Sequence, residues 1–176
     1  MNSVENIIIG QSKYRKFKKY ELLLHDGQIS RSLFFIKKGI TRHYNINEDG
    51  KELTNNFTLQ GTFVIGSISS FLTQKKARVR LQALTDIECY ELDYKSYNTL
   101  LENDEFIHFW NRLLCSYIIK KEKKELSFLN ENAKNRYLRF LKNFPNLINE
   151  IPHYYIASYL RISSETLSRI RRNLSK

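Results

Sequence analysis

The chain has 176 residues, 41% of them hydrophobic, with 29 lysines and arginines against 18 acidic residues and a formal net charge of +11. No apolar run approaches the roughly 20 residues that a membrane span needs, and the Ile7–Ile9 patch is far shorter than the apolar stretch of a secretory signal, so the sequence reads as cytoplasmic and without a membrane partner. A basic balance of this size points to a polyanion, nucleic acid or an anionic surface, with plain solubility as the bland alternative.

The amino-terminal half is punctuated by glycine. Gly27, Gly39, Gly50 and Gly61 fall 12, 11 and 11 residues apart, the turn rhythm of an all-β sandwich or barrel. Between them apolar residues alternate. Ile40, Arg42, Tyr44 and Ile46 share one side of a strand, as do Leu53, Phe57 and Leu59. Val79, Leu81 and Ala83 alternate with Arg78, Arg80 and Gln82 as a half-buried strand. The Asp49-Gly50 pair fits a tight hairpin. The spacing predicts about eight short strands over 13–95. Cys89 and Cys115 fit neither a metal spacing nor a disulfide framework and read as small buried residues. His25, His43, His108 and His153 read as surface or turn residues, with no metal site expected.

After residue 95 the pattern becomes helical, and no glycine follows Gly66. Phe106, Trp110, Leu113, Leu114, Tyr117 and Ile118 recur at spacings of three and four, an amphipathic helix over about 103–129. Such a helix is about 40 Å long, too long to lie only on a small β domain, so the stripe is expected to meet a second copy of the chain. The competing reading packs the helix solely on its own domain. The Lys120–Lys124 run reads as a solvated turn. A second helix carries Ala133, Tyr137, Leu138 and Leu141 on its inner face and ends at Pro145. Two short helices follow, at about 153–160 and 164–174.

These last two match a helix-turn-helix pattern. Ile156, Ala157, Leu160, Ile162, Leu167 and Ile170 stand where the helices meet each other and a core, with the small Ala157 at closest approach. Pro152 suits the first turn of the leading helix, and Ser163 an N-cap of the trailing one, with Ile162 and Leu167 as a staple around it. Arg161 occupies the turn, where a left-handed conformation costs a non-glycine residue about 1 kcal/mol. If Leu167, Ile170 and Leu174 are buried, the opposite face carries Ser164, Glu165, Ser168, Arg169 and Arg172. Arginine can pair with guanine and glutamate can accept from cytosine, while hydroxyls at a helix start can meet phosphate. From residue 133 onward nine Lys/Arg face two Asp/Glu, a concentration that a phosphate backbone rewards. A purely structural helical hairpin with a charged face is the alternative. No enzyme motif stands out; Asp86, Glu88, Glu91 and Asp93 fit a strand's solvent face.

Over nearly its full length the chain resembles the Crp–Fnr family of bacterial transcription regulators. The segments carrying the resemblance are L-L-L-H-D-G (22–27), L-F-F-I-K-K-G (33–39), E-D-G-K-E (48–52), F-V-I-G-S (63–67) and I-A-S-Y-L-R-I-S-S-E-T-L-S-R-I-R-R (156–172). The resemblance implies an α+β chain: an antiparallel β jelly roll of the cyclic-nucleotide-binding type over 1–102, a dimerisation helix over 103–130 and an all-α helix-turn-helix over 131–176. It implies double-stranded DNA as partner, with Glu165 and Arg169 reading base edges and Ser163 and Thr166 aligned with phosphate-contacting positions. It also implies a homodimer on a palindromic site and RNA polymerase as a further partner. Ser164 stands where well-known members carry arginine, so one base preference is expected to differ. The chain ends after the recognition helix, where many relatives continue into a wing.

The family's effector cassette follows Gly66 with a glutamate and, about ten residues on, an arginine; here those positions are Ser67 and Ala77. Arg78 is one residue off, which on a strand means the opposite face, so Arg78 or Arg80 would have to serve an anion. Binding of cyclic AMP by the family's contacts is not expected; another small effector, or none, is. The four cysteines of oxygen-sensing members are absent, so no iron–sulfur cluster is expected. A reading of another class makes the chain a small-ligand sensor whose helical tail contacts a protein.

Overall fold

The computed structural model describes residues 3–174. They form two compact units, which divide between Arg112 and Leu113.

In the first unit a short helix, α1 (Ser3–Gly10), precedes eight strands: β1 (Lys13–Phe17), β2 (Leu22–Leu24), β3 (Ser32–Lys38), β4 (Thr41–Ile46), β5 (Glu52–Thr58), β6 (Thr62–Ile65), β7 (Arg80–Ala83) and β8 (Ile87–Asp93). They make two four-stranded antiparallel sheets, ordered β1-β8-β3-β6 and β2-β7-β4-β5. This is the expected jelly roll. Between the sheets lie Phe17, Leu24, Phe34, Ile36, Val64, Ala77, Leu81, Ala83, Ile87 and Cys89. Alternation selects most of them, which are flanked along their strands by residues directed to the other face; Ala77 comes from the segment before β7. The glycine rhythm marks real turns, since Gly27, Gly39, Gly50 and Gly61 all have positive φ. Gly39 (φ +103) is the most constrained. A Cβ there would lie 2.5 Å from the Asp86 carbonyl oxygen and 2.6 Å from Ile87 Cδ1.

One parity is broken. The β4–β5 ladder shifts register between His43 and Tyr44, opposing Asn56 and then Thr54 and leaving Asn55 as the extra residue. A bulge flips everything beyond it, so Leu53 is 36% exposed while Phe57 is buried. Three short helices in this half carried no multi-turn pattern: α1, α2 (Ile68–Thr73) and α3 (Tyr94–Leu100). Asp93, the exposed last residue of β8, also caps α3 by accepting from Ser96 N at 2.8 Å. His43 is a strand residue rather than a surface one. Its Nε2 lies 2.8 Å from the Ile65 carbonyl, and burial pushes its pKa down despite that bond.

The long helix α4 (Asp104–Asn130) runs out of this unit. Its first turns belong to the roll. Phe106 and Trp110, expected on the dimer stripe, are buried within the same chain. The Trp110 ring centroid is 4.9 Å from that of Tyr97 and 6.0 Å from that of Phe71, so neither ring is available to a second copy. Cys115, expected to be buried, is exposed.

The second unit holds the rest of α4 with α5 (Ala133–Asn143), α6 (Leu147–Glu150), α7 (His153–Leu160) and α8 (Ser164–Leu174). Asn132 caps α5 by accepting from Asn135 N at 2.9 Å. The core comprises Tyr137, Phe140, Leu147, Ile151, Tyr155, Ile156, Ala157, Leu160 and Leu167. Leu138, expected to face inward, is exposed; Tyr137 and Phe140 take the inner face of α5.

Candidate nucleic-acid interface

Local capping chemistry sets the helix pair. Pro152, with φ −57 and ψ 134, stands just before α7 rather than in its first turn. At the other end Arg161 adopts the left-handed conformation (φ 54, ψ 49). Ile162 N donates to the Ala157 carbonyl at 3.0 Å and Arg161 N to that of Ser158 at 3.1 Å. These are the two bonds of a Schellman closure, usually built on glycine. The arginine is retained with a contact of its own: its guanidinium carbon lies 4.2 Å from the Phe128 ring centroid. Ser163 then caps α8, its Oγ accepting from Thr166 N at 3.2 Å and lying 3.2 Å from Thr166 Oγ1.

Burial divides α8 into two faces. Leu167 is 1% exposed, and Ile156, Ala157 and Leu160 of α7 are buried likewise. Ile162 and Ile170 are half-buried. Leu174, expected in the seam, is exposed. Ser163, Ser164, Glu165, Ser168, Arg169 and Arg172 are exposed, and Thr166 is half-buried. Glu165 sits in the first turn of α8 and Arg172 in the last, an arrangement the helix dipole favours. Arg171 was missed by sequence reasoning. Its Nη1 lies 2.7 Å from His153 Nδ1, tying α8 back to α7. The signal available for it was its place between Ile170, assigned inward, and Arg172, assigned outward, at the border of the two faces.

The effector positions are occupied by packing. Gly66 lies against Leu24, whose Cδ2 would be 2.5 Å from an added Cβ. Ser67 caps α2 by accepting from Ser70 N at 3.3 Å, and Ser67 N donates to Ser30 Oγ at 3.3 Å. Ala77, where the family carries arginine, faces the core between the sheets. Arg78 is exposed. Arg80 pairs with Tyr44 across the ladder, on the face opposite Leu81 and Ala83, with its guanidinium carbon 5.8 Å from the Tyr44 ring centroid. Neither arginine points between the sheets. A different cation is buried: Arg42, 1% exposed, donates from Nε to Gln82 Oε1 at 2.9 Å and pairs with Glu52. Its apolar-side parity next to Tyr44 was the available signal.

A two-sheet roll with a short helix between its sixth and seventh strands, followed along the chain by a long helix and a helix-turn-helix, is the architecture of the Crp–Fnr type. Residues 14–104 match the cyclic nucleotide-binding domain family, and the chain belongs to it. It is 29% identical over 87 residues to the cAMP-activated global transcriptional regulator CRP of Salmonella typhimurium, a match that takes in 49% of this chain and 41% of that protein. The chain therefore matches less than half the length of that relative. Among solved structures, FixK2 from Bradyrhizobium japonicum superposes with a TM-score of 0.82 at 18% identity, covering 93% of this chain and 84% of that one. The c-di-GMP responsive global regulator CLP of Xanthomonas campestris gives a TM-score of 0.75 at 17% identity, over 98% and 90% of the two chains. Among the described residues no helix is long and apolar enough to cross a membrane.

Proposed function

We propose that the chain is a sequence-specific regulator that binds double-stranded DNA through the exposed face of α8. The observation that carries this reading is the division of that helix: Leu167 is sealed into the second unit while Glu165, Arg169 and Arg172 are exposed. Glu165 and Arg169 read base edges, Ser164 stands at a further base-facing position, and Ser163, Thr166, Ser168 and Arg172 serve the backbone. A homodimer on a palindrome supplies two such helices, about 34 Å apart. Support for a dimer comes from α4, where Tyr117 and Ile118 are exposed, with Ile119, Leu126 and Leu129 exposed further along. Leu113 and Leu114 are half-buried. Apolar residues in such number on one exposed helix call for a partner. In the β-roll, cyclic AMP is not the effector by the family's contacts, since the core arginine is replaced by Ala77 and Ser67 is spent as a cap.

The test compares binding of the wild type, Arg169→Ala and Arg172→Ala to a preferred site and its single-base variants. Arg169→Ala is expected to relax preference at one base pair by about 1–3 kcal/mol, and Arg172→Ala to weaken all sequences alike. Equal, sequence-independent losses for both variants contradict the assigned roles.

A further inference from the structure

The second unit contains a group of cations that DNA reading does not use. Lys124 Nζ lies 3.9 Å from the Tyr159 ring centroid and 5.6 Å from that of Phe128. Phe128 also receives the guanidinium carbons of Arg161 at 4.2 Å and Arg136 at 5.5 Å. Arg136 is committed to two backbone carbonyls, those of Leu160 at 3.2 Å and Glu131 at 2.6 Å. Arg139 pairs with Glu131 Oε1 at 2.5 Å. Glu131 is the one carboxylate in this group, and its Oε2 is shielded without a hydrogen-bond partner among the described residues. Lys121 and Glu125 of the same helix are exposed and 4.0 Å from each other.

Lys124, Arg136, Arg139 and Arg161 are thus gathered near the Phe128 and Tyr159 rings, with Glu131 engaged through Oε1 by Arg139. Burial and like-charge crowding both disfavour an ammonium group there. Burial, with Arg161 and Arg139, pushes the Lys124 pKa down to about 7. The Tyr159 phenol, raised by its own burial, stays protonated and offers no compensating anion.

We propose that Lys124 is a carbamylation site, whose amine captures carbon dioxide to form a carbamate paired with the Arg139 and Arg161 guanidinium groups. The amine lone pair attacks the carbon of CO2, a nitrogen–carbon bond forms, one C–O π pair moves onto oxygen, and the proton lost from nitrogen goes to solvent. No oxidant, reductant or metal enters. The product exchanges a neutral or repelled amine for an anion among three guanidinium groups. It also draws Arg161, the left-handed residue of the turn before α8, away from Phe128. Carbon dioxide would then bias the orientation of α8. This consequence rests on the DNA-binding reading; the chemistry at Lys124 does not.

The test equilibrates the full chain with isotope-labelled bicarbonate at mildly alkaline pH. The carbamate is trapped with a trialkyloxonium reagent and located by peptide mass spectrometry. Label at Lys124 several-fold above that at Lys120, Lys121 and Lys123 is expected, and label no higher than theirs overturns the proposal. Arg161→Gly keeps a residue suited to the left-handed turn and removes the guanidinium; it is expected to cut the Lys124 label at least twofold, and an unchanged label removes Arg161 from the site. DNA retention measured with and without CO2, in the wild type and in Lys124→Met, reads the consequence separately. Retention that responds to CO2 only in the wild type supports it. Retention that ignores CO2 in a labelled chain overturns it. Failure to retain DNA under any condition counts against the DNA reading and leaves the trapped carbamate standing.

Discussion

Leu167→Ala tests the seam on which the helix-turn-helix depends. The side chain is 1% exposed, and Ile156, Ala157 and Leu160 of α7 are each 2% exposed or less. Truncation removes three carbons, about 2.4 kcal/mol of transfer free energy at roughly 0.8 kcal/mol per methylene. The hole adds to this, since the capped α7–α8 turn resists collapse, and the total comes to about 3–4 kcal/mol. A unit as small as this one rarely has more than about 3–5 kcal/mol to lose. Trp110, the single tryptophan, lies in the first unit, so its fluorescence does not report the change. Hydrogen exchange resolved by peptide does. Amides of α5, α7 and α8 are expected to exchange roughly 140–700-fold faster, at about 1.4 kcal/mol per tenfold, while strand amides of the roll stay protected. A rise below tenfold, or an equal rise in the β-roll, would refute the seam.

Other substitutions probe other parts of the account. Ser163→Ala removes the cap on α8 and is expected to cost about 1 kcal/mol, read by chemical denaturation followed by helical circular dichroism; no change would mean the 3.2 Å bond to Thr166 N is idle. Gly39→Ala puts a methyl group against the Asp86 carbonyl at positive φ and is expected to destabilise the roll by about 3 kcal/mol, read by Trp110 fluorescence. Lys124→Met tests the charge crowding. Because the folded pKa is depressed from 10.5 to about 7, the unfolded chain binds the extra proton between those values. Wild-type stability therefore gains from this group as pH rises through that window, by up to about 1.4 kcal/mol per pH unit. The methionine variant lacks that gain. Its advantage over the wild type is expected to be greatest near and below neutral pH and to shrink toward alkaline pH. A pH-independent difference contradicts the reading.

What the sequence disclosed follows from how local each signal is. The α7–α8 pair was legible because its caps, turn and apolar spacing lie within about twenty residues, and even the left-handed Arg161 followed from the pattern. The strands were legible through glycine turns and alternation, up to the bulge at Asn55, which reverses the parity of Leu53 without a mark in composition. The stripe on α4 was legible as a stripe, but periodicity does not say what covers it. Phe71 and Tyr97, distant in sequence, claim Trp110. The Lys120–Lys124 run read as solvated, and Lys124 is instead half-buried. The rings and cations around it come from α4, α5, α7 and the turn after α7, and only the fold brings them together. In the effector region the sequence exposed the loss of the family's residues at Ser67 and Ala77, but not that Gly66 lies against Leu24.

The central claim, that α8 reads DNA as one of a symmetric pair, is tested most directly by selecting bound duplexes from a random pool with the full chain. The account predicts a palindrome with half-sites one helical turn apart, about 34 Å, whose enrichment is lost with Arg169→Ala. Recovery of no sequence above background at modest salt, or enrichment that survives Arg169→Ala unchanged, would contradict it.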